Sequence, residues 1–262
     1  MSAPEVVAAF DRLLQRYDLE GCVALLTDAL HDEYDSAGDG DDEAWVGSNP
    51  GRGIGNTKGK RNPLHEMRRH VHHALNPMHK QFLAACRDAR RLDLALAYAR
   101  VLPPNPKLYS SLLGTCAQAK DFPKAVATFE LYSRSGSAPD AFAYSGLISA
   151  AGKAGEMEAA ADALNNAVRE GACDDAVFNA YVDACAHSGD YPRAAETVAL
   201  MRREGVKPNV RTYNSLITAA SRARDVTAAK AALAELDAAG FEATDRTFGA
   251  ALSAAAAAAG EF

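Results

Sequence analysis

KPNVRTYNSLITAASRARDVTAAKAALAELDAAG, residues 207–240, reads as two amphipathic segments joined by a polar turn. In the first, Tyr213 is followed at i+3 and i+4 by Leu216 and Ile217, the spacing of one helical stripe. The second runs into Gly240, a residue suited to the left-handed position that ends a helix. The same order recurs upstream in PNPKLYSSLLGTCAQAKDFPKAVATFELYSRSG (104–136), APDAFAYSGLISAAGKAGEMEAAADALNNAVREG (138–171) and DDAVFNAYVDACAHSGDYPRAAETVALMRREG (174–205). The aromatics Tyr109, Tyr144, Phe178, Tyr213 and Phe248 are 35, 34, 35 and 35 residues apart. Gly136, Gly171, Gly205 and Gly240 keep the same register, as do Ala125, Ala160, Ala194 and Ala229. Three independent markers in phase over four periods mean an internal repeat, and each unit is predicted to be a pair of helices.

Local chemistry supports the division. Asp121, Asp190 and Asp225 stand in the inter-helix turns, where a carboxylate accepts from the orphan amides of the next helix; Gly155 holds that place in the second unit. Pro123 and Pro192 fall in the first turn of the second helices, where a missing N–H costs nothing. Pro139 and Pro208 follow the terminal glycines and stop continuation. One such hairpin cannot bury both its faces, so neighbours must stack. The fold class is therefore all-α, an α-solenoid, with the five aromatics expected in equivalent, largely buried sites.

Composition agrees. The 262 residues are 48% hydrophobic and 24% charged, with alanine abundant in the second half, as close helix packing requires. No apolar run nears the roughly 18 residues that span a bilayer, which excludes an integral helical membrane protein. The net charge of −6 divides unevenly: residues 1–60 carry −7, 61–107 carry +6 with five of the seven histidines, and 108–262 carry −5. Cys22, Cys86, Cys116, Cys173 and Cys185 form no CxxC pair, and the start, MSAPEVVAAFDRLL, has neither a signal peptide's basic and apolar regions nor a transit peptide's lack of acids. A reducing compartment is expected. Cys86, Cys116 and Cys185 share one place in three units and are expected to be buried thiols, too far apart to share a metal.

The remaining chain divides into a degenerate helical hairpin at 1–33, a Gly/Asp-rich linker at 34–62 expected to be disordered, and a basic helical segment with a shortened repeat at 63–105. The regular units fill 106–262, the last of them truncated, as in the N-terminal part of a longer array.

Candidate catalytic motifs fail on spacing. In GRGIGNTKGKR (51–61), Gly59-Lys60 is preceded five back by Ile54 and followed by Arg61, so a phosphate loop is not formed. In HEMRRHVHH (65–73) the i+4 position from His65 is Arg69, which breaks the zincin pair, and adjacent cations oppose a dication. No Ser/His/Asp set and no acidic metal cluster stands in register. No catalytic residue, metal or cofactor is expected, and the chain is not expected to be an enzyme.

The tetratricopeptide pattern, Trp-x2-Leu-Gly-x2-Tyr, is missing. KPNVRTYNSLITAASRARDVTAA (207–229) resembles instead the pentatricopeptide repeat, with Lys-Pro-Asn/Asp between units and Val-x-Thr-Tyr-Asn-x-Leu-Ile after it; APDAFAYSGLISAAGKAGEMEAA (138–160) resembles it nearly as well. The resemblance implies modular, sequence-specific binding of single-stranded RNA, one base per unit. It assigns base reading to the residue after the aromatic together with the last residue of the unit. Carried over, these are Ser110 with Asp140, Ser145 with Asp174 or Asp175, Asn179 with Asn209, and Asn214 with Thr244. Residues two before the aromatic, Lys107, Phe142, Ala176, Arg211 and Arg246, are placed to stack between bases, the cations also meeting phosphates. Lys80 with Asn105, and Gly249, depart from the pattern. The implied preference is 5′-G-G-pyrimidine-pyrimidine-3′. The resemblance also implies an organelle, the chloroplast before the mitochondrion, and a role in transcript processing or stabilisation. The alternatives are a protein–protein interaction scaffold and the substrate-recognition part of a larger RNA-processing enzyme.

Overall fold

The computed structural model describes residues 2–31, 63–102, 105–136 and 138–259. Thirteen α-helices and no strand occur among the described residues. Two compact units divide them: Met1–Ala119 with Val126–Ala138, and Lys120–Ala125 with Pro139–Phe262. The linker expected at 34–62 lies outside the described residues.

In the first unit, α1 (Ala3–Gln15) and α2 (Leu19–His31) form a hairpin, followed by α3 (Pro63–Asp88), α4 (Leu92–Val101) and α5 (Pro106–Ala119). Within the stretch 63–105, read as a basic segment with a shortened repeat, α3 begins at Pro63 and continues through Pro77. The basic segment and the first helix of the shortened repeat are thus one element. Helix α1 packs on α3, α3 on α5, and α2 on α4, so the N-terminal hairpin occupies the place of one more repeat. Its core is aromatic. The Phe82 and Tyr98 rings stand 4.5 Å apart and both meet Phe10, while Tyr98 OH lies 2.5 Å from His79 Nδ1. Helix α6 (Phe122–Arg134) pairs with α5 through the stacked rings of Tyr109 and Tyr132, 5.2 Å apart.

The second unit contains three hairpins and a further helix: α7 (Ala141–Ala154) with α8 (Met157–Arg169), α9 (Asp175–Ser188) with α10 (Tyr191–Arg203), α11 (Val210–Arg222) with α12 (Val226–Ala238), and α13 (Asp245–Ala259). The first helices of successive hairpins pack directly, α7 on α9, α9 on α11 and α11 on α13. Each second helix fits between its own partner and the next hairpin's first helix. Successive second helices are joined by ion pairs between long side chains, Glu158 to Arg193 at 2.8 Å and Arg202 to Glu235 at 2.6 Å. Their partners are 40–82% exposed, so each is worth about 0–1 kcal/mol.

The register markers have distinct jobs. Ala125, Ala160, Ala194 and Ala229 are all buried, where a larger side chain would hold the helices apart. Gly136, Gly171, Gly205 and Gly240 all take positive φ just after the second helices. Asp121, Asp190 and Asp225 accept from the amides of Lys124, Arg193 and Ala228 at 3.2, 3.1 and 2.9 Å. Cys86, Cys116 and Cys185 are buried, and burial pushes the Cys86 and Cys185 thiols up to about 12.

Four of the five aromatics are buried at 0–5% exposure, but Phe248 is 51% exposed. Tyr144 and Tyr213 show why. Tyr144 OH donates to Glu170 at the end of α8, and the Tyr213 ring meets Phe241 after α12. No described helix follows α13 to cover Phe248 in that way.

Candidate nucleic-acid interface

The first helices of the second unit carry the candidate readers near their N-termini, and the last residues of the preceding repeats become their caps. Asp140 accepts from Ala143 N at 2.9 Å, Asp174 from Val177 N at 3.0 Å and Asn209 from Thr212 N at 3.2 Å. Thr244 Oγ1 accepts more weakly from Thr247 N at 3.4 Å. Extended backbone at Asp140, Asp174 and Asn209 aims each side chain back over the first turn. Asp174, and not Asp175, therefore holds the position equivalent to Asp140 and Asn209. Asp175 is the first residue of α9, and its carboxylate accepts from Asn209 Nδ2 at 3.0 Å.

The candidate readers sit one turn further along. Ser145 is half-buried and donates to Phe142 O at 3.0 Å within its own helix. Ser110, in the first unit, likewise donates to Pro106 O at 2.9 Å. Asn179 is only 2% exposed, and its Nδ2 lies 3.5 Å from Asn209 Oδ1. The sequence pair Asn179 and Asn209 is thus brought together on the seam between two repeats. Asn214 is half-buried on the next seam. Asn214 and Thr244 both bond the hydroxyl of Thr247, at 2.5 and 2.9 Å.

The stacking positions separate into two kinds. Phe142 is 70% exposed and Lys107 is exposed, each offering an open surface. Arg211 is exposed too, but its Nη2 lies 2.5 Å from Asp183 Oδ2. Ser215 Oγ donates to the other oxygen of the same carboxylate. Arg211 is therefore paired with the preceding repeat's first helix. The Arg246 side chain lies outside the described residues.

A second register of basic side chains escaped the sequence reading. Lys153, His187 and Arg222 stand 34 and 35 residues apart at the C-terminal ends of α7, α9 and α11, all exposed. That position favours cations because of the helix dipole. Arg222 Nη1 donates to His187 O at 2.6 Å. Lys120, Lys153, His187 and Ser188 line a cleft of about 450 Å³. Lys153, His187 and Arg222 each stand nine residues after the aromatic of their unit, so the register already used for Tyr144, Phe178 and Tyr213 would have found this row.

Among the described residues no group of three His, Cys, Asp or Glu side chains is placed to hold a metal. Nor is any described helix long and apolar enough to cross a membrane. The GRGIGNTKGKR stretch lies outside the described residues, as do most side chains of HEMRRHVHH.

Known proteins place this architecture. PPR10 in complex with an 18-nt psaJ RNA element superposes with a TM-score of 0.59 at 21% identity, over 72% of this chain and 29% of that one. A form of PPR10 with cysteines changed to serine, in the same complex, gives the same values. At that identity the likeness is one of fold, and the chain spans about a third of the solved protein's length. Among curated proteins none matches. The family model describing the pentacotripeptide-repeat region of PRORP matches residues 100–261, more than half of the sequence. The chain belongs to the pentatricopeptide-repeat family.

Proposed function

We propose that this chain binds single-stranded RNA through its repeats, one base per repeat, and that the seam residues described above set the sequence preferred. The observation that carries the reading is the meeting of a helix-start side chain with the next repeat's cap, directly for Asn179 with Asn209 at 3.5 Å and through the hydroxyl of Thr247 for Asn214 with Thr244. Such a seam offers one base-sized contact per step of the stack. The RNA-bound state of the PPR10 structures, whose fold this chain shares, supports the same reading. Ser145 with Asp174 offers a hydroxyl and a carboxylate, a set that meets both the donors and the acceptors of guanine. Asn179 and Asn214 offer amides suited to pyrimidine O2 and N3. Lys153 and Arg222 supply positive charge for the phosphates. An organellar transcript, in the chloroplast before the mitochondrion, is the target this reading favours, and occupancy of that transcript would stabilise it or direct its processing. A fluorescent fusion of the full-length protein tests the compartment.

A titration of fluorescent single-stranded RNA containing GGCC, against the same length of double-stranded RNA, tests the activity. Binding in about the micromolar range, stronger for the single strand and weakened by salt, is expected. Equal or absent binding of both would move the protein-scaffold reading ahead. A second reading, that the array is the substrate-recognition part of a larger RNA-processing enzyme, is favoured by the family model's describing one region of PRORP.

A further inference from the structure

In the second unit, the third residue of each first helix changes in step with the candidate reader of the repeat before it. Asn179 is followed by a repeat carrying Thr212, and Asn214 by one carrying Thr247, whereas Ser145 is followed by one carrying Val177. Thr212 Oγ1 donates to Asn179 Oδ1 at 2.6 Å, and Thr247 Oγ1 donates to Asn214 Oδ1 at 2.5 Å. The direction of donation follows from each hydroxyl's other neighbours. Asn209 N donates to Thr212 Oγ1 at 3.1 Å and Thr244 N donates to Thr247 Oγ1 at 3.0 Å. The other acceptors near each hydroxyl, Asn209 Oδ1 at 3.3 Å from Thr212 Oγ1 and Thr244 Oγ1 at 2.9 Å from Thr247 Oγ1, stand farther off than the amide oxygens, so the single hydroxyl proton goes to the amide oxygen. Both threonines are 0% exposed, so that proton has no water to turn to. With its oxygen held, each Asn must present its NH2 side away from the threonine. Asn214 Nδ2 meets no acceptor among the described residues.

We propose that Thr247 and Thr212 are positioning residues that lock the amide orientation of Asn214 and Asn179, so that the half-buried Asn214 shows the RNA hydrogen-bond donors only, while the buried Asn179 turns its NH2 toward Asn209. The inference rests on the base-reading role proposed for Asn214 and Asn179. A donor-only amide takes the O2 and N3 acceptors of cytosine. It repels the N1–H and N2–H donors of guanine, which an amide free to flip would accept through its oxygen. Val177 stands where the reader is a serine, whose hydroxyl rotates and needs no such lock.

The test compares the full chain with Thr247→Val, which keeps the side-chain shape and removes the proton, and with Thr247→Ser, which restores the proton. Each binds RNA containing GGCC or GGCG, the changed base facing Asn214. Wild type and Thr247→Ser are expected to prefer GGCC by about tenfold, and Thr247→Val by about threefold or less, with discrimination at the first two bases unchanged. The side-chain carbonyl 13C resonance of Asn214 is expected to move upfield in Thr247→Val and to stay near wild type in Thr247→Ser. Preference for GGCC retained in Thr247→Val would overturn the lock and leave the reading of bases standing. An unmoved resonance in Thr247→Val would also overturn it, independently of RNA. A wild type blind to the change from GGCC to GGCG, with the resonance shifting as expected, would overturn the base-reading role and with it the lock's function.

Discussion

Arg211 shows how one residue can satisfy a sequence pattern and still be engaged elsewhere. Its position suits stacking on bases, yet Asp183, 28 residues earlier, pairs with its guanidinium at 2.5 Å. The pair is half exposed, so its own stabilisation is small, but it removes one cation from those open to a phosphate. Asp183→Asn keeps an acceptor for Ser215 and removes the charge. The variant is expected to bind single-stranded RNA several-fold tighter at low salt, with the slope of log K against log salt steeper by about 0.7. An unchanged slope would show that Arg211 meets no phosphate. The caps at Asp121, Asp190 and Asp225 were legible in the sequence, because a cap contacts its own first turn; that Asp140, Asp174 and Asn209 also cap helices was not read there. The Arg211–Asp183 pair and the Thr247–Asn214 bond were not. They join residues on successive repeats, and helical periodicity carries no information about which side chains meet across a seam.

At the scale of the helical hairpin, the turn between paired helices has a shared conformation that composition hides. Tyr17, Arg90, Lys120 and Arg224 have φ of 57–58°, and Gly155 and Gly189 hold the same turn position at 86° and 74°. All six of these turns therefore hold a left-handed residue, and only two of them use glycine. Gly155→Ala is expected to cost about 1 kcal/mol, seen as a lower urea midpoint. Arg224→Gly should stabilise by less than about 1 kcal/mol, since relief of the left-handed strain is offset by greater freedom of the unfolded chain. Equal shifts in both variants would mean that the turn is not under that constraint. Gly152 acts differently, since it is inside α7. A Cβ there would stand 2.4 Å from Ala184 Cβ and 3.0 Å from its Cα on α9. Although alanine is the better helix former, Gly152→Ala is expected to destabilise by about 1–3 kcal/mol, because α7 and α9 must move apart. A gain in thermal midpoint would contradict that close approach. The 35-residue register made the hairpins readable without structure. Phe248 was misjudged because an aromatic's burial depends on the second helix that covers it, and none follows α13 among the described residues.

Across the whole molecule, the small side chains that let the helices approach also bury ionisable groups. Burial pushes the thiols of Cys22, Cys86 and Cys185, and the phenol of Tyr181, up to about 12. In the unfolded chain those thiols ionise near pH 8.5. Their pKa values are raised by folding, so their contribution is fully present below about pH 8.5 and is lost as pH climbs toward 12. Thermal midpoints at pH 8 and pH 10.5 are expected to differ, the alkaline one lower; equal midpoints would contradict burial of these groups. The larger claim is that side chains in register, one seam after another, choose the bases of a bound RNA. Ser145→Asn combined with Val177→Thr gives the second seam of the array the reader and lock found at Asn179 with Thr212. Selection from a random single-stranded RNA pool, run in parallel on the wild type and this double variant, tests the claim most directly. The expected result is a wild-type motif of 5′-G-G-pyrimidine-pyrimidine-3′ whose second guanine becomes a pyrimidine in the variant, a change of about 1–3 kcal/mol at that base alone. The same enriched motif from both proteins, or no motif from either, would contradict it.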